Sequence, residues 1–295
     1  MTNVLTVLCS DFMKRMQTRR DIAKPNGEDK ENCAELERLM NALKLESPLY
    51  ALINRDTGFP QIAFVEDHGG KGARIAVLLF TEEHIAKHEA ESMGDADVFC
   101  TEIPKFLMND GEPLDVRSAF FRRCYLLGAE YVLMNPVDGN APLRVPVNML
   151  AVVKPDIDSE TERMQMDVNR ITNGTLTLLK QEACAGNQVF CDMFRHEVMQ
   201  RVQATLFLTP VKDSHPLVFK EQADGKDVSA IYMFTNTDEA RGVMKLDCEL
   251  ARVELDDIMP LATEHGMWCI VNPFSLKFVL NKYAEKQNSG ETADR

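Results

Sequence analysis

The chain is poor in the residues and spacings through which most chemistry announces itself. It has one Trp and six His among 295 residues. Its eight Cys, at 9, 33, 100, 124, 184, 191, 248 and 269, never form a Cys-x-x-Cys. Several lie in apolar runs, such as Val98-Phe-Cys100 and Trp268-Cys-Ile270. That usage excludes a disulfide framework or a zinc knuckle and points to reduced, buried thiols. Gly-x-Ser-x-Gly, His-Glu-x-x-His and the dinucleotide glycine fingerprint are missing, which leaves no catalytic residues to name. No run approaches the ~18 apolar residues of a membrane span. The short apolar run at 4–9 is followed, not preceded, by charge, the reverse of a secretory signal. These absences lead us to expect a cytoplasmic protein without cofactor or metal.

Positive charge is also scarce. Thirty-three Lys and Arg face 46 Asp and Glu, a net charge of −13 and a pI near 5.0. Such a field repels phosphate backbones, so nucleic acid and anionic membrane are not expected partners. The one dense basic group, Lys14, Arg15, Arg19 and Arg20, has no aromatic residues interleaved and reads as a solvated helix face. Hydrophobic and charged contents of 45% and 27% are those of a globular chain, and the length suits two domains of about 100–150 residues each.

What is present is a stretch at 264–278 that organises the rest. Gly266 ends a helix, residues 267–271 form a buried strand, Asn272-Pro273 stops it, and Ser275 is expected to cap a last helix over 275–286. An echo stands upstream, where Gly128 ends a helix and a strand at 131–134 runs into Asn135-Pro136. The residue before proline is expected to be extended and the proline to end the ladder. More landmarks repeat in order. Three strands at 49–53, 61–65 and 74–80 are echoed at 206–211, 216–219 and 230–235. Both sets close on Phe-Thr, at Phe80-Thr81 and Phe234-Thr235. Thr81 is expected to cap a helix over 82–93, matched by one at 237–244. Strands at 97–103 and 249–255 follow, then helices opened by Asp115 and Asp256.

The offset is 154 between Ala76 and Ala230 but 137 between Asn135 and Asn272. The first copy therefore carries an insertion, which we place in the polar stretch 105–113. Landmarks in fixed order at near-constant offset indicate an internal duplication. The expected fold is α+β: two similar domains, each a mostly antiparallel mixed sheet with helices packed on it. We divide the chain into an N-terminal helix and linker at 1–32, a first copy at 33–150 and a helical connection at 151–184. A second copy follows at 185–286, then a tail at 287–295. Ser159 and Glu162 form a capping box at the head of the connection, and Gly174 is expected to break its helix. The match of Asn173-Gly-Thr175 to a glycosylation acceptor has no meaning in a cytoplasmic protein.

The meander ending in Phe-Thr before an acid-led helix, and the closing Gly-x-Trp-x-Ile-Val-Asn-Pro, resemble the SseB-type family. This is the N-terminal domain of the enhanced serine sensitivity protein, found widely in bacteria. Residues 230–240 and 264–278 carry the resemblance in the second copy, and 76–83 with 128–136 carry it more loosely in the first. It implies a tandem of that domain. It implies no activity and no catalytic residues.

Each residue with chemical potential has a structural reading beside the functional one. The glycine-rich turn at 69–72 lacks phosphate-loop spacing and reads as a hairpin turn. His84 and His88, at i and i+4, would place two imidazoles on one helix face near Glu91 or Asp95, yet no third His is near and a solvated face explains them. His265 and Cys269 would make a thiol–imidazole pair only if the thiol left its apolar run. Trp268 alternates with Ile270 and suits core or interface packing. Asn135 and Asn272 carry the best binding expectation, as amides at strand ends where ligands collect; local turn bonding is the alternative.

The functional expectation is a non-enzymatic binding or adaptor module for a protein or small ligand, with Asn135, Asn272 and Trp268 as binding residues. The alternative is an enzyme, or a degenerate one, with a site between the copies drawing on His84, His88, Cys100 and His265. Oligomeric state is open at this stage.

Overall fold

The computed structural model describes residues 30–45, 48–66, 73–94, 97–109, 112–136, 142–151, 160–223 and 225–281. The basic group at 14–20, the glycine-rich turn at 69–72, Asp95 and Ser159 lie outside them. The fold is α+β, and packing divides the chain into two compact units, Met1–Lys154 and Pro155–Arg295.

In the first unit the described residues begin with α1 (Lys30–Leu45). Strands β1 (Tyr50–Asn54), β2 (Phe59–Pro60), β3 (Ile62–Glu66) and β4 (Ala73–Phe80) follow, then α2 (Glu83–Ser92) and β5 (Val98–Glu102). A hairpin, β6 (Phe106–Asn109) and β7 (Glu112–Asp115), leads into α3 (Val116–Leu126), β8 (Tyr131–Met134), β9 (Leu143–Pro146) and the single turn α4 (Val147–Leu150). The sheet order is β2-β1-β4-β8-β9, with β3 on β4 and β5 on β1. Only β4 and β8 run parallel, Ala76 opposite Tyr131 and Leu79 opposite Met134. Central β4 reads Ala-Arg-Ile-Ala-Val-Leu-Leu-Phe and is buried on both faces from Ile75 onward, as an unbroken apolar run requires. Over one face α2 lays Ile85, Ala86, Ala90 and Met93 against Leu78 and Phe80. Each large side chain buried this way contributes about 1.5–3 kcal/mol.

In the second unit the described residues begin with α5 (Glu160–Cys184) and α6 (Gln188–Gln203). Strands β10 (Phe207–Lys212), β11 (His215–Pro216), β12 (Val218–Ala223) and β13 (Lys226–Met233) follow. Next come a short 3-10 turn (Glu239–Gly242), β14 (Glu249–Val253), α7 (Leu255–Glu264), β15 (Trp268–Val271) and β16 (Phe278–Val279). They form sheets β11-β10-β14 and β12-β13-β15-β16, stitched by a bridge between Leu208 and Phe234. The parallel pair is again the central one, with Ala230 opposite Trp268 and Met233 opposite Val271. Gly128 and Gly266, at φ of +78° and +60°, end α3 and α7 with the same pair of bonds. Their amides donate to Tyr125 and Thr263, and those of Ala129 and Met267 to Cys124 and Ala262.

Several local expectations are corrected. The segment read as a connection contains α5, which runs unbroken through Gly174 and buries Asn169, Thr172, Asn173 and Thr177 within the second unit. Its interior hydroxyls are satisfied by the preceding turn: Thr175 and Thr177 donate to the carbonyls of Ile171 and Asn173, both at 2.8 Å, so no break is needed. The helix expected at 237–244 is only a four-residue 3-10 turn. Thr81 does not cap α2, whose N-cap is Glu82. No helix starts at Ser275: residues 273–276 are a turn, Lys277 has φ +48°, and β16 pairs with β15 before Leu280 becomes helical. The stretch taken as polar at 105–113 holds the β6–β7 hairpin, with Phe106, Leu107 and Met108 exposed.

Candidate functional site

Asn135 and Asn272 occupy matching places at the ends of β8 and β15, both with φ +48°. They are left-handed, not extended, and Asn tolerates this region better than other side chains. What holds them there is a clip to the neighbouring parallel strand. The Asn135 amide N–H donates to Leu79 O at 2.8 Å, and its Oδ1 accepts from the Thr81 amide at 2.9 Å. Its Nδ2 donates to Thr81 Oγ1 at 3.1 Å. Asn272 repeats every bond: N–H to Met233 O at 2.8 Å, Oδ1 from the Thr235 amide at 3.0 Å, Nδ2 to Thr235 Oγ1 at 3.0 Å.

The two differ in what else they meet. Asn135 is half-buried, whereas Asn272 is wholly buried and gives its second Nδ2 hydrogen to Asn173 Oδ1 of α5 at 2.9 Å. Around that bond α5 lays a polar seam: Asn169 Nδ2 donates to Leu206 O and Thr235 O at 2.8 and 3.0 Å, and Thr172 shares a 2.7 Å hydroxyl bond with Thr205. Both side-chain hydrogens of Asn272 are spent on the fold, so the expected free amide does not exist there. Local bonding, the alternative weighed from sequence, accounts for Asn272.

Trp268 lies beside a more unusual surface. One face of β12–β13–β15 carries Ala230, Tyr232, Phe234 and Ile270, with Phe219 and Trp268 partly buried against them. Phe219 stacks parallel on Tyr232 at 4.0 Å between centroids. Phe274, just after the second Asn-Pro, meets Tyr232 edge-on at 5.8 Å and Phe234 at 6.0 Å. In the first unit the ten-residue α2 covers the matching face. In the second unit the cover is the 3-10 turn, which supplies Ala240 and is followed by Val243, and Phe274 remains 55% exposed. Phe274 lies over Gly242 so closely that a Cβ there would collide with its ring.

A charged group borders these rings. Glu221 accepts from the Tyr232 hydroxyl and from Lys277 Nζ, the latter at 2.7 Å. Burial and then the Glu221 carboxylate push the Tyr232 phenol far above its ordinary value. Burial also acts to raise Glu221, but its bonds to Lys277 and Tyr232 outweigh it and hold the carboxyl below the usual range. The left-handed backbone at Lys277 ends the turn that presents Phe274 and brings this ammonium to Glu221. Sequence patterning missed the surface because its parts come from 219–232 and 274–277, and only the shortness of the 3-10 turn exposes it.

Of the remaining candidates, His84, His88 and Cys100 belong to the first unit and His265 and Cys269 to the second. His84 and His88 are exposed on α2, and His84 Nδ1 lies 3.5 Å from Glu82. Cys100 is half-buried on β5 and its thiol is raised by burial. His265 is exposed at the end of α7, while Cys269 is wholly buried, its thiol pushed up to about 12 by burial. Such a thiol is protonated and inert at neutral pH. Among the described residues no three His, Cys, Asp or Glu side chains gather as a metal site, and no helix is long and apolar enough to cross a membrane.

No family model matches the chain, and no curated protein matches it either. Among solved structures it is similar to Anabaena Tic22, a protein of protein transport, at 10% identity over 87% of this chain and 98% of that one. The TM-score of 0.20 is too low for that likeness to bear on fold or function.

Proposed function

We propose that the chain is a non-enzymatic, cytoplasmic binding or adaptor module, a tandem of SseB-type domains. The half-covered aromatic face of the second unit takes a protein or small ligand. The observation that carries the site is Phe274, more than half exposed although it packs on Tyr232 and Phe234. Amphipathic aromatic surfaces edged by a few fixed polar groups are what partners bury most strongly, and Glu221 with Lys277 supplies the polar edge. The duplication reading draws support from the matched parallel pairs, the matched Asn clips and the matched glycine stops. The buried, protonated thiols Cys124 and Cys269 agree with a reducing compartment.

The test is affinity capture from native lysate with the wild-type chain beside Phe274→Ala and Trp268→Ala, reading bound proteins and small molecules by mass spectrometry. A stoichiometric partner lost from both variants supports the site. A partner kept by both leaves the adaptor reading standing and removes this surface from it. A bound metabolite consumed on incubation would turn the reading to the alternative, an enzyme.

A further inference from the structure

The first unit places residues 103–115 between β5 and α3, where the second passes from β14 to α7 through Glu254 alone. The extra residues build the β6–β7 hairpin, a separate two-stranded sheet. Phe106, Leu107, Met108 and Leu114 on it are 49–72% exposed. Opposite pairs are Leu107 with Leu114 and Met108 with Pro113, so apolar side chains stand on both faces. A lone hairpin with both faces wet is marginal, and clustered exposed apolar residues mark contact sites.

The two edges of the hairpin are not equivalent. The Val116 amide donates to Lys105 O at 3.1 Å. By the alternation of an antiparallel ladder, Leu107–Leu114 is then a hydrogen-bonded pair and Phe106–Asp115 and Met108–Pro113 are not. The amides and carbonyls of Phe106 and Met108 therefore point outward, and among the described residues neither amide has a partner. On the other edge the outward positions are Asp115 and Pro113. Pro113 has no N–H, and Glu112 and Asp115 make that edge acidic. One edge is closed to strand addition in the way natural edges are, and β6 is open.

We propose that β6 pairs with β6 of a second copy of this chain, antiparallel about a two-fold axis at Leu107. Only a register that sets outward residues against outward residues completes the ladder, which places Phe106 opposite the partner copy's Met108 and Leu107 opposite its own counterpart. One face then joins two Leu107 and two Leu114 side chains. On the other face Phe106 packs on Met108. Lys105 of each copy comes to the end where the other copy carries Glu112, so the charges complement one another. Pairing through β7 in the same way would set Asp115 against Pro113, which has no amide to donate. A two-fold contact is self-complementary and closes, and one of hairpin size belongs with the weak, transient interfaces. This inference is independent of the aromatic face in the other unit.

Sedimentation equilibrium of the full chain, up to about 100 μM, tests it with three variants. Met108→Pro removes an outward amide without touching the β6–β7 bonds, and Leu107→Glu sets like charges on the axis. Each is expected to raise the dimer Kd at least about tenfold with an unchanged thermal midpoint. Leu107→Cys is expected to form an intermolecular disulfide above the wild-type background on mild oxidation, since non-hydrogen-bonded partners stand close enough, at about 4.5 Å between Cα atoms. A chain that is monomeric throughout the range overturns the proposal. So does a dimer that both Met108→Pro and Leu107→Glu leave intact, or one that Leu107→Cys fails to cross-link.

Discussion

Asn272 and Asn173 join their side-chain amides at 2.9 Å in a fully buried contact between the end of β15 and α5. Removing Asn272 would strand the Thr235 amide, take one donor from Asn173 Oδ1 and leave an ordinary side chain at φ +48°. Unpaired buried groups cost about 1–3 kcal/mol and left-handed backbone about 1–2. Asn272→Ala is therefore expected to lower unfolding stability by about 3 kcal/mol, and Asn135→Ala, with fewer buried bonds, by about half as much. Urea denaturation reads both; equal losses would show that the bond to α5 adds nothing.

The contact between Phe274 and Gly242 gives a sharper prediction about the aromatic face. Any Cβ at 242 meets the ring, and because Phe274 is half out of the fold the ring can swing away. Gly242→Ala is expected to cost only about 1 kcal/mol while releasing Phe274 from Tyr232 and Phe234. The readout is loss of the Phe274 ring contacts in nuclear Overhauser spectra. Contacts that persist would mean the 3-10 turn shifts instead.

Much of the frame was legible in the chain because it rests on local rules. Asp115 accepts from the Ser118 amide as an N-cap should, Gly128 and Gly266 take the left-handed stops, and β4 declares its burial by composition. The misses have one physical origin, which is that pairing across the fold overrides neighbours in sequence. Thr81 leaves the helix it precedes because Asn135 offers it both a donor and an acceptor. Ser275 opens no helix because residues 278 and 279 are claimed by β15. Trp268 was singled out, yet the rings that give it a surface, Phe219 and Phe274, share no periodicity with it.

Arg117 offers a test of the first unit's interior. It is fully buried, and its guanidinium donates to Leu43 O of α1 at 3.3 Å and to Ile103 O at 2.7 Å. Burial lowers its pKa, while Glu102 and Asp115 pull it upward. Arg117→Met keeps much of the volume but leaves both carbonyls without this donor. Bonds to charged groups are worth about 1.5–3 kcal/mol, so a loss of about 3 kcal/mol is expected, with α1 becoming the first element to exchange its amides. An unchanged denaturation midpoint would show that the carbonyls find other donors.

The Tyr232–Glu221–Lys277 group should be readable in the pH dependence of stability. The Tyr232 phenol is raised in the fold, so the stability it contributes is fully present below its unfolded value of about 10 and drains away as pH climbs above that. Glu221 works in the opposite window. Its carboxyl is lowered, so its contribution is present above the unfolded value of about 4.3 and is lost as pH falls through the folded one. On the alkaline side a single group can add a slope of at most about 1.4 kcal/mol per pH unit. Tyr232→Phe removes that slope and keeps the ring stacked on Phe219. Urea midpoints of wild type and variant should therefore converge as pH rises above about 10. Two curves that stay parallel there would show that the phenol ionises as easily in the fold as out of it, and that its bond to Glu221 does not hold in solution.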